Sequence, residues 1–261
     1  MRWLIAFLFV PLTGFADPVE VDVELVLAVD VSRSMSAEEL DIQRRGYAAA
    51  LSSAEVMGAI RGGLLGRIAV TYVEWAGDSA QRVIVPWTMI ETQAEADAVA
   101  WMILSQTAPG MRRTSISGAL LYAAEDMDAN AFAGLRRVID VSCDGPNNKG
   151  LPVLAAREAV LARGITINGL PLMTRDDFSS LFGIEDLDAY YEACVIGGPG
   201  AFVIPVRDWS EFAGAVRRKL VLEIAGLPPR IWAAQYRPAP AYDCLIGEKL
   251  WERNRGFFGV P

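Results

Sequence analysis

Histidine is missing from the 261 residues of the sequence. Its absence excludes Ser-His-Asp and Cys-His catalysis, a histidine general base and zinc sites built on histidine, because each of these needs an imidazole. Much of the common chemistry of hydrolases is therefore unavailable to this chain. Hydrophobic residues, in contrast, make up 52% of the sequence, which suffices for one large core and excludes a disordered chain.

Long apolar runs are also lacking. The apolar run near the start, residues 3–10, is far shorter than the ~20 residues that a membrane-spanning helix needs. It follows Arg2 and precedes Gly14 and Ala16, small residues at the two positions that a signal peptidase reads. We therefore expect residues 1–16 to be a cleaved signal peptide and the protein to be exported, to the periplasm or outside the cell.

Cysteine is scarce. The three cysteines are Cys143, Cys194 and Cys244, and an odd number leaves at least one thiol unpaired. Cys143 lies in an apolar segment that is typical of a buried strand, whereas the other two lie in loop-like segments bounded by glycine. Because export would permit disulfides, the sequence favours a bond between Cys194 and Cys244. The alternative is three buried, unreactive thiols.

Positive charge is in the minority. The chain has 24 lysines and arginines against 32 aspartates and glutamates, a formal net charge of −8. Such a surface argues against nucleic acid or anionic lipid as the main partner, because both would be repelled. It does not by itself identify a positively charged partner.

Strand and helix patterns alternate along most of the chain. Wholly apolar strands between helices are typical of a parallel sheet covered on both faces, and Gly77-Asp78-Ser79 predicts a hairpin that adds an antiparallel edge strand. We therefore predict a doubly wound α/β domain over residues 17–226, with a C-terminal extension, residues 227–261, packed on it. The predicted strands are residues 19–31, 67–77, 81–87, 136–143, 164–172 and 201–206, and the predicted helices are residues 37–59, 92–106, 115–128, 151–164 and 210–226.

The first predicted strand ends at Asp30, and three serines follow within a few positions. Ser36 and Glu39 match the capping box that begins a helix, which leaves Ser32 and Ser34 without that role. Asp30, Ser32 and Ser34 alternate, so a tight loop can direct their oxygens to one point, a ligand set that suits Mg²⁺ or Mn²⁺. The alternative is an ordinary loop after a strand.

The segment DVSRS, residues 30–34, resembles the metal-ion-dependent adhesion site of von Willebrand factor A-type domains. Two further segments are similar to that family in the same order: RRTSISGAL, residues 112–120, and VIDVSCDGPNN, residues 138–148. One departure is Cys143, where relatives often carry a threonine directly before the aspartate. The resemblance covers roughly residues 20–226, and the whole chain resembles exported bacterial proteins of unknown function that carry this domain.

The resemblance implies a Rossmann-like von Willebrand A fold. It also implies a divalent cation, Mg²⁺ or Mn²⁺ with Ca²⁺ as an alternative, bound by Asp30, Ser32, Ser34, Thr114 and Asp144. In the family a partner protein supplies an aspartate or glutamate carboxylate to the metal, so we expect an exported protein-binding module and no enzyme. Arg113 could contact that carboxylate, although solvated loop arginines are more frequent.

Two other functions remain open from the sequence. The same oxygens could hold Mg²⁺ in a hydrolase of phosphate esters, with an acid near Asp30 or Asp144 in place of the missing histidine base. Alternatively, the metal could lock the loops of an exported structural domain.

Overall fold

The computed structural model describes residues 17–106, 110–174, 183–226 and 242–254. The predicted signal peptide lies outside these residues, as does most of the predicted C-terminal extension. Within the described part of the chain, no helix is long and apolar enough to cross a membrane.

Five strands form one mixed sheet. β1 pairs in parallel with β2 and β4, and β4 pairs in parallel with β5. β3 pairs antiparallel with β2 and lies at the edge, so the order is β3-β2-β1-β4-β5. This confirms the predicted doubly wound α/β fold with one antiparallel edge strand. The ranges, to which these labels refer, are β1 (Val19–Asp30), β2 (Ile68–Trp75), β3 (Gln81–Ile90), β4 (Phe132–Cys143) and β5 (Thr166–Pro171).

Helices cover both faces of the sheet. In the central strand, Leu25 and Leu27 face one layer while Val26 and Ala28 face the other, and all four are buried. This two-sided burial explains why the strand is apolar at every position near its end. The helices are α1 (Ala37–Leu51), α2 (Ala54–Arg61), α3 (Gln93–Leu104), α4 (Ile116–Ala129), α5 (Val153–Leu161), α6 (Leu187–Tyr190), α7 (Phe212–Ala225) and α8 (Ile246–Asn254).

Each layer of helices covers its own side of the core. Side chains of α1, α2, α3 and α7 pack with Leu25 and Leu27, whereas those of α4, α5 and α6 pack with Val26 and Ala28. A π-helical turn, Tyr191–Val195, continues α6. Because β1 and β4 are neighbouring parallel strands, the residues directly after them reach one edge of the sheet together.

Two predicted elements differ from the structure. The predicted strand 201–206 makes only isolated bridges, from Val203 to Gly169 of β5 and from Val206 to Leu172 directly after β5. A continuous parallel ladder would need an N–H at Pro171, and proline has none. The predicted helix 37–59 is two helices, because the hydroxyl of Ser53 accepts a hydrogen bond from the N–H of Val56 and caps a new helix. The predicted capping box at the start of α1 is confirmed.

The pairing of the cysteines agrees with the sequence prediction. Cys194, in the π-helical turn, and Cys244, just before α8, form a disulfide. Cys143 is a buried free thiol at the end of β4. The bond therefore joins the C-terminal helix to the main body of the fold.

Candidate functional site

The candidate site lies where β1 and β4 end side by side. Asp30 is the last residue of β1, and Asp144 directly follows Cys143, the last residue of β4. From these two strands the sheet continues in opposite directions, towards β2 on one side and β5 on the other. Such a point, beyond the carboxyl ends of the strands, is where open α/β sheets bind ligands.

Asp30 and the two serines after it form a tight turn. The N–H of Ser32 donates to Oδ1 of Asp30 at 2.7 Å, and the Ser32 hydroxyl donates to Oδ2 at 2.9 Å. The hydroxyl oxygens of Ser32 and Ser34 lie 2.7 Å apart. The structure therefore brings these three predicted ligands into direct contact, with Asp30 and Ser32 buried.

Asp144 joins this group from the neighbouring strand. One potential ligand atom each from Asp30, Cys143 and Asp144 lie within 4.8 Å of one another. Asp30 is fully buried, whereas Asp144 keeps part of its surface open to solvent. Two carboxylates that lie this close repel each other when both are ionised.

The electrostatics of the site favour the uptake of positive charge. Burial raises the pKa of Asp30 well above its ordinary range, and the negative charge of Asp144 adds to this shift. Burial also raises the pKa of Asp144, opposed by hydrogen bonding to the side chain of Ser34. Among the described residues, no lysine or arginine forms an ion pair with either carboxyl.

Thr114 lies in the loop before α4 and is bound to the segment after Asp144. Its N–H donates to Oδ1 of Asn148 at 3.0 Å, and its carbonyl accepts from the N–H of Asn148 at 2.9 Å. Asn147 likewise accepts a hydrogen bond from the N–H of Ser117 in the first turn of α4. The two asparagines thus fix the loop of the fourth predicted ligand against the loop of the fifth.

The positioning role of these asparagines was missed from the sequence. The signal was present, because both follow Asp144 in the segment that resembles the adhesion-site family. Their partners, however, lie about 30 residues away in the chain, and no local pattern identifies them.

Cys143 and Gln43 support the buried carboxylate. The Cys143 thiol lies 3.1 Å from Oδ2 of Asp30 as a hydrogen-bond donor. Burial and the charges of Asp30 and Asp144 raise the pKa of this thiol well above its ordinary range, so it stays protonated at neutral pH. Gln43 of α1 donates to the backbone carbonyl of Asp30 at 3.2 Å. Both contacts fix the orientation of Asp30.

Arginines flank the site, but one of them is already engaged. The guanidinium of Arg113 lies 3.3 Å from the centre of the Trp251 ring in α8. Arg33 and Arg112 are exposed, and Arg33 donates to the carbonyl of Gly110 at a long 3.4 Å. The residue that the sequence suggested as a ligand contact therefore lies against the C-terminal helix.

The donor set fits a hard divalent cation. Asp30, Ser32, Ser34 and Asp144 present carboxylate and hydroxyl oxygens, which Mg²⁺ and Mn²⁺ prefer. Two of these four groups are neutral hydroxyls, so a bound cation would keep more of its positive charge than in a site built of carboxylates alone. The protein groups can hold such an ion, and the site is partly open to solvent at Asp144.

Solved structures with similar folds support the same architecture. Proximal thread matrix protein 1 from the mussel byssus is 15% identical with a TM-score of 0.58, over 80% of this chain and 49% of that one. A second structure of it, with a TM-score of 0.54, has a zinc-occupied metal-ion-dependent adhesion site motif. The pilus adhesin SpaC from Lactobacillus rhamnosus GG is 12% identical with a TM-score of 0.57, over 81% and 30%.

A von Willebrand factor type A protein from Catenulispora acidiphila is 15% identical with a TM-score of 0.51, over 78% of this chain and 43% of that one. Across these matches the chain spans about half or less of the matched proteins. At such identities the similarity shows the fold, which is von Willebrand A-like. No curated protein matches the chain. A family profile matches residues 20–228, and the chain belongs to that family, described as "Protein of unknown function (DUF1194)".

Proposed function

We propose that this protein is an exported, metal-dependent binding module of the adhesion type. Its cation, Mg²⁺ or Mn²⁺ with Ca²⁺ as an alternative, is bound by Asp30, Ser32, Ser34, Thr114 and Asp144. The cation accepts an aspartate or glutamate carboxylate from a partner protein. The metal-binding domain spans residues 17–226, after a signal peptide of residues 1–16, and residues 227–261 are an extension packed on it.

One observation carries this proposal. Asp30 is fully buried beside Asp144, with hydroxyl oxygens around them, and neither carboxyl has an ion pair with a described lysine or arginine. Burying unpaired charge is costly, so such a pair needs either protons or a cation. The hydroxyl ligands favour a cation, because protonated carboxyls would not require them. The mussel matrix protein with zinc at the corresponding motif gives a precedent on the same fold.

Two further features support an acidic partner outside the cytoplasm. A cation that retains positive charge attracts a carboxylate, and the exposed Arg33 and Arg112 add positive charge beside it in a chain of net charge −8. The Cys194–Cys244 disulfide is consistent with an oxidising compartment. The hydroxyls and carboxyls of the site are assigned as cation ligands in this proposal, so we infer a binding protein and no enzyme.

Thermal unfolding with and without cations tests the metal. A ligand at about 100 times its dissociation constant stabilises the folded state by roughly 2.7 kcal/mol, which raises Tm by about 5–10 °C for a domain of this size. We expect such a shift in the mature protein with Mg²⁺ or Mn²⁺ relative to EDTA. Asp30→Asn should abolish it, whereas Asp41→Asn, at an exposed carboxyl on α1, should leave it unchanged. An equal shift in Asp30→Asn would contradict the site.

Capture from envelope extract tests the partner. The metal-loaded protein should retain a binding protein that EDTA releases and that free glutamate at high concentration displaces. Asp30→Asn should capture nothing. Metal binding without capture would instead support the structural alternative, and hydrolysis of a generic phosphate ester by the loaded protein would support the hydrolase.

A further inference from the structure

The C-terminal helix α8 is fixed to the body of the fold beside the candidate site. The Cys194–Cys244 disulfide closes a separation of 50 residues just before this helix. The rings of Tyr190 and Tyr242 pack edge to face next to it, with centroids 5.9 Å apart. The start of α8 is therefore held by one covalent and one aromatic contact.

From this position α8 contacts the loop after Asp144. Oε1 of Glu248 accepts a hydrogen bond from Nδ2 of Asn147 at 2.7 Å. The same asparagine donates its backbone N–H to the Tyr190 hydroxyl at 3.2 Å and accepts from Ser117 of α4. Asn147 is fully buried, and its side chain thus links α8 to the start of α4.

The packing of α8 on this loop leaves no room for a methyl group. A Cβ at Gly247 would lie 2.1 Å from the backbone carbonyl oxygen of Asn147. At that distance either the helix or the loop must move. Gly247 therefore permits a close approach of two backbones, and α8 lies directly on the segment that presents Asp144.

The other end of α8 contacts the loop of Thr114. Trp251 lies under the guanidinium of Arg113, 3.3 Å from ring centre to the guanidinium carbon. Arg113 has a φ of 76°, and it is the only non-glycine residue with positive φ in the described ranges. Such a backbone is strained and persists only where surrounding contacts hold it. Trp251 supplies such a contact to Arg113, which directly precedes the predicted metal ligand Thr114.

We propose that α8 is a clamp that holds the Thr114 and Asp144 loops in the geometry that binds metal. Glu248 and Trp251 are then positioning residues, acting through Asn147 and Arg113, and the disulfide anchors them. This inference rests on the proposed metal site. It assigns a role to the C-terminal segment that lies outside the sequence segments resembling the adhesion-site family.

Mn²⁺ affinity and amide hydrogen exchange of the full mature protein test the clamp. Gly247→Ala forces α8 away from the Asn147 loop, although alanine by itself favours a helix more than glycine does. Trp251→Ala removes the aromatic ring that Arg113 contacts. Each variant should weaken Mn²⁺ binding by about tenfold, as loss of a supporting contact around metal ligands typically does. In metal-free protein, each should also speed exchange at residues 111–118 and 145–149.

Three matched variants separate positioning from general damage. Trp251→Phe keeps an aromatic face for Arg113 and should retain most of the Mn²⁺ affinity. Gly58→Ala adds a methyl to α2, where no atom apart from the helix's own nearby backbone lies within 4 Å, and should change neither the affinity nor the exchange. Trp251→Met fills space without an aromatic face for Arg113, so rescue by phenylalanine and not by methionine would not be expected if Trp251 only filled space near the helix.

The outcomes distinguish the clamp from the metal site. If the unsubstituted protein binds Mn²⁺ and both Gly247→Ala and Trp251→Ala bind it equally well, the clamp is wrong and the proposed function stands. If the unsubstituted protein binds no Mn²⁺, the proposed function fails and the role of α8 at a metal fails with it.

Discussion

Two groups of buried carboxyls near β4 differ in how their charge is balanced. In the first, which we call the lysine cluster, Nζ of Lys219 on α7 lies 2.7 Å from Asp140 and 2.5 Å from Glu223, all fully or almost fully buried. In the second, Asp30 and Asp144 face each other without a described lysine or arginine partner. The protein supplies its own cation to one group, and a solution cation would have the same role at the other.

The pKa values express this difference. Burial raises the pKa of Asp140, but Lys219 opposes the shift. At Asp30 the nearest charge is another carboxylate, which acts in the same direction as burial. A buried acid beside a fixed cation is a structural element, whereas a buried acid beside a second acid favours binding of a positive ligand.

Removal of Lys219 should have the largest effect. Lys219→Met leaves two buried carboxyls without their cation, and breaking a buried pair in this way costs about 3–5 kcal/mol of unfolding free energy. Urea unfolding at neutral pH measures the loss. Arg45→Met is the control, because its ion pair with Asp41 is exposed and should contribute less than about 1 kcal/mol. Equal losses of unfolding free energy in the two variants would contradict the expectation that the buried ion pairs contribute more than the exposed one.

The pH dependence of the lysine cluster should be the next largest effect. Burial raises the pKa of Glu223 to about 7 from an ordinary 4.5. The folded state therefore binds this proton more tightly, so the resulting stability is present below about pH 4.5 and is lost as the pH rises through about 7.

Glu223→Gln removes this titration. The stability of the unsubstituted protein relative to the variant should fall by on the order of 3 kcal/mol between acidic and mildly alkaline pH. Urea unfolding of both proteins across that range measures it. A difference that stays constant or grows with pH would show that Glu223 does not bind its proton more tightly in the folded state.

Neutralising Asp30 should change the free energy of unfolding by a smaller amount, and in the opposite direction to Lys219→Met. In EDTA at neutral pH, Asp30→Asn removes a buried charge but also weakens the hydrogen bonds that Ser32 donates. We expect a net gain of about 1 kcal/mol in unfolding free energy. Urea unfolding in EDTA measures it, and a marked loss would mean that the carboxylate is balanced within the protein.

Much of the fold was predictable because its signals are local. The apolar strand that ends at Asp30, the capping box at Ser36 and the hairpin at Gly77 each depend on a few neighbouring residues. The predicted strand 201–206 was wrong because its ladder also depends on Pro171, about 30 residues earlier. Lys219 lies in a predicted helix, yet nothing in its neighbourhood in the sequence shows that this charged side chain is fully buried.

For the candidate site, the sequence predicted Asp30, Ser32, Ser34, Thr114 and Asp144 as ligands through motif resemblance. The close contacts among Asp30, Ser32 and Ser34 follow from short turn geometry. The contacts that Asn147, Glu248 and Trp251 make were not predictable, because their partners lie far away in the chain: Asn147 and Glu248 are 101 residues apart. A sequence motif identifies the side chains that could bind a metal. The contacts that hold those side chains in place form only when distant segments of the chain pack together.

The sequence by itself determined the alternation of strands and helices and the mixed sheet, and it predicted a set of oxygen ligands. The features of the fold follow from periodicity and turn chemistry that act within a few residues, whereas the full ligand set followed from motif resemblance. Tertiary structure alone decided that Lys219 neutralises one pair of acids and not the other, and that α8 lies on the loops of Thr114 and Asp144. Such contacts depend on the relative placement of whole elements, which is set by packing around a shared core rather than by any local stretch of chain.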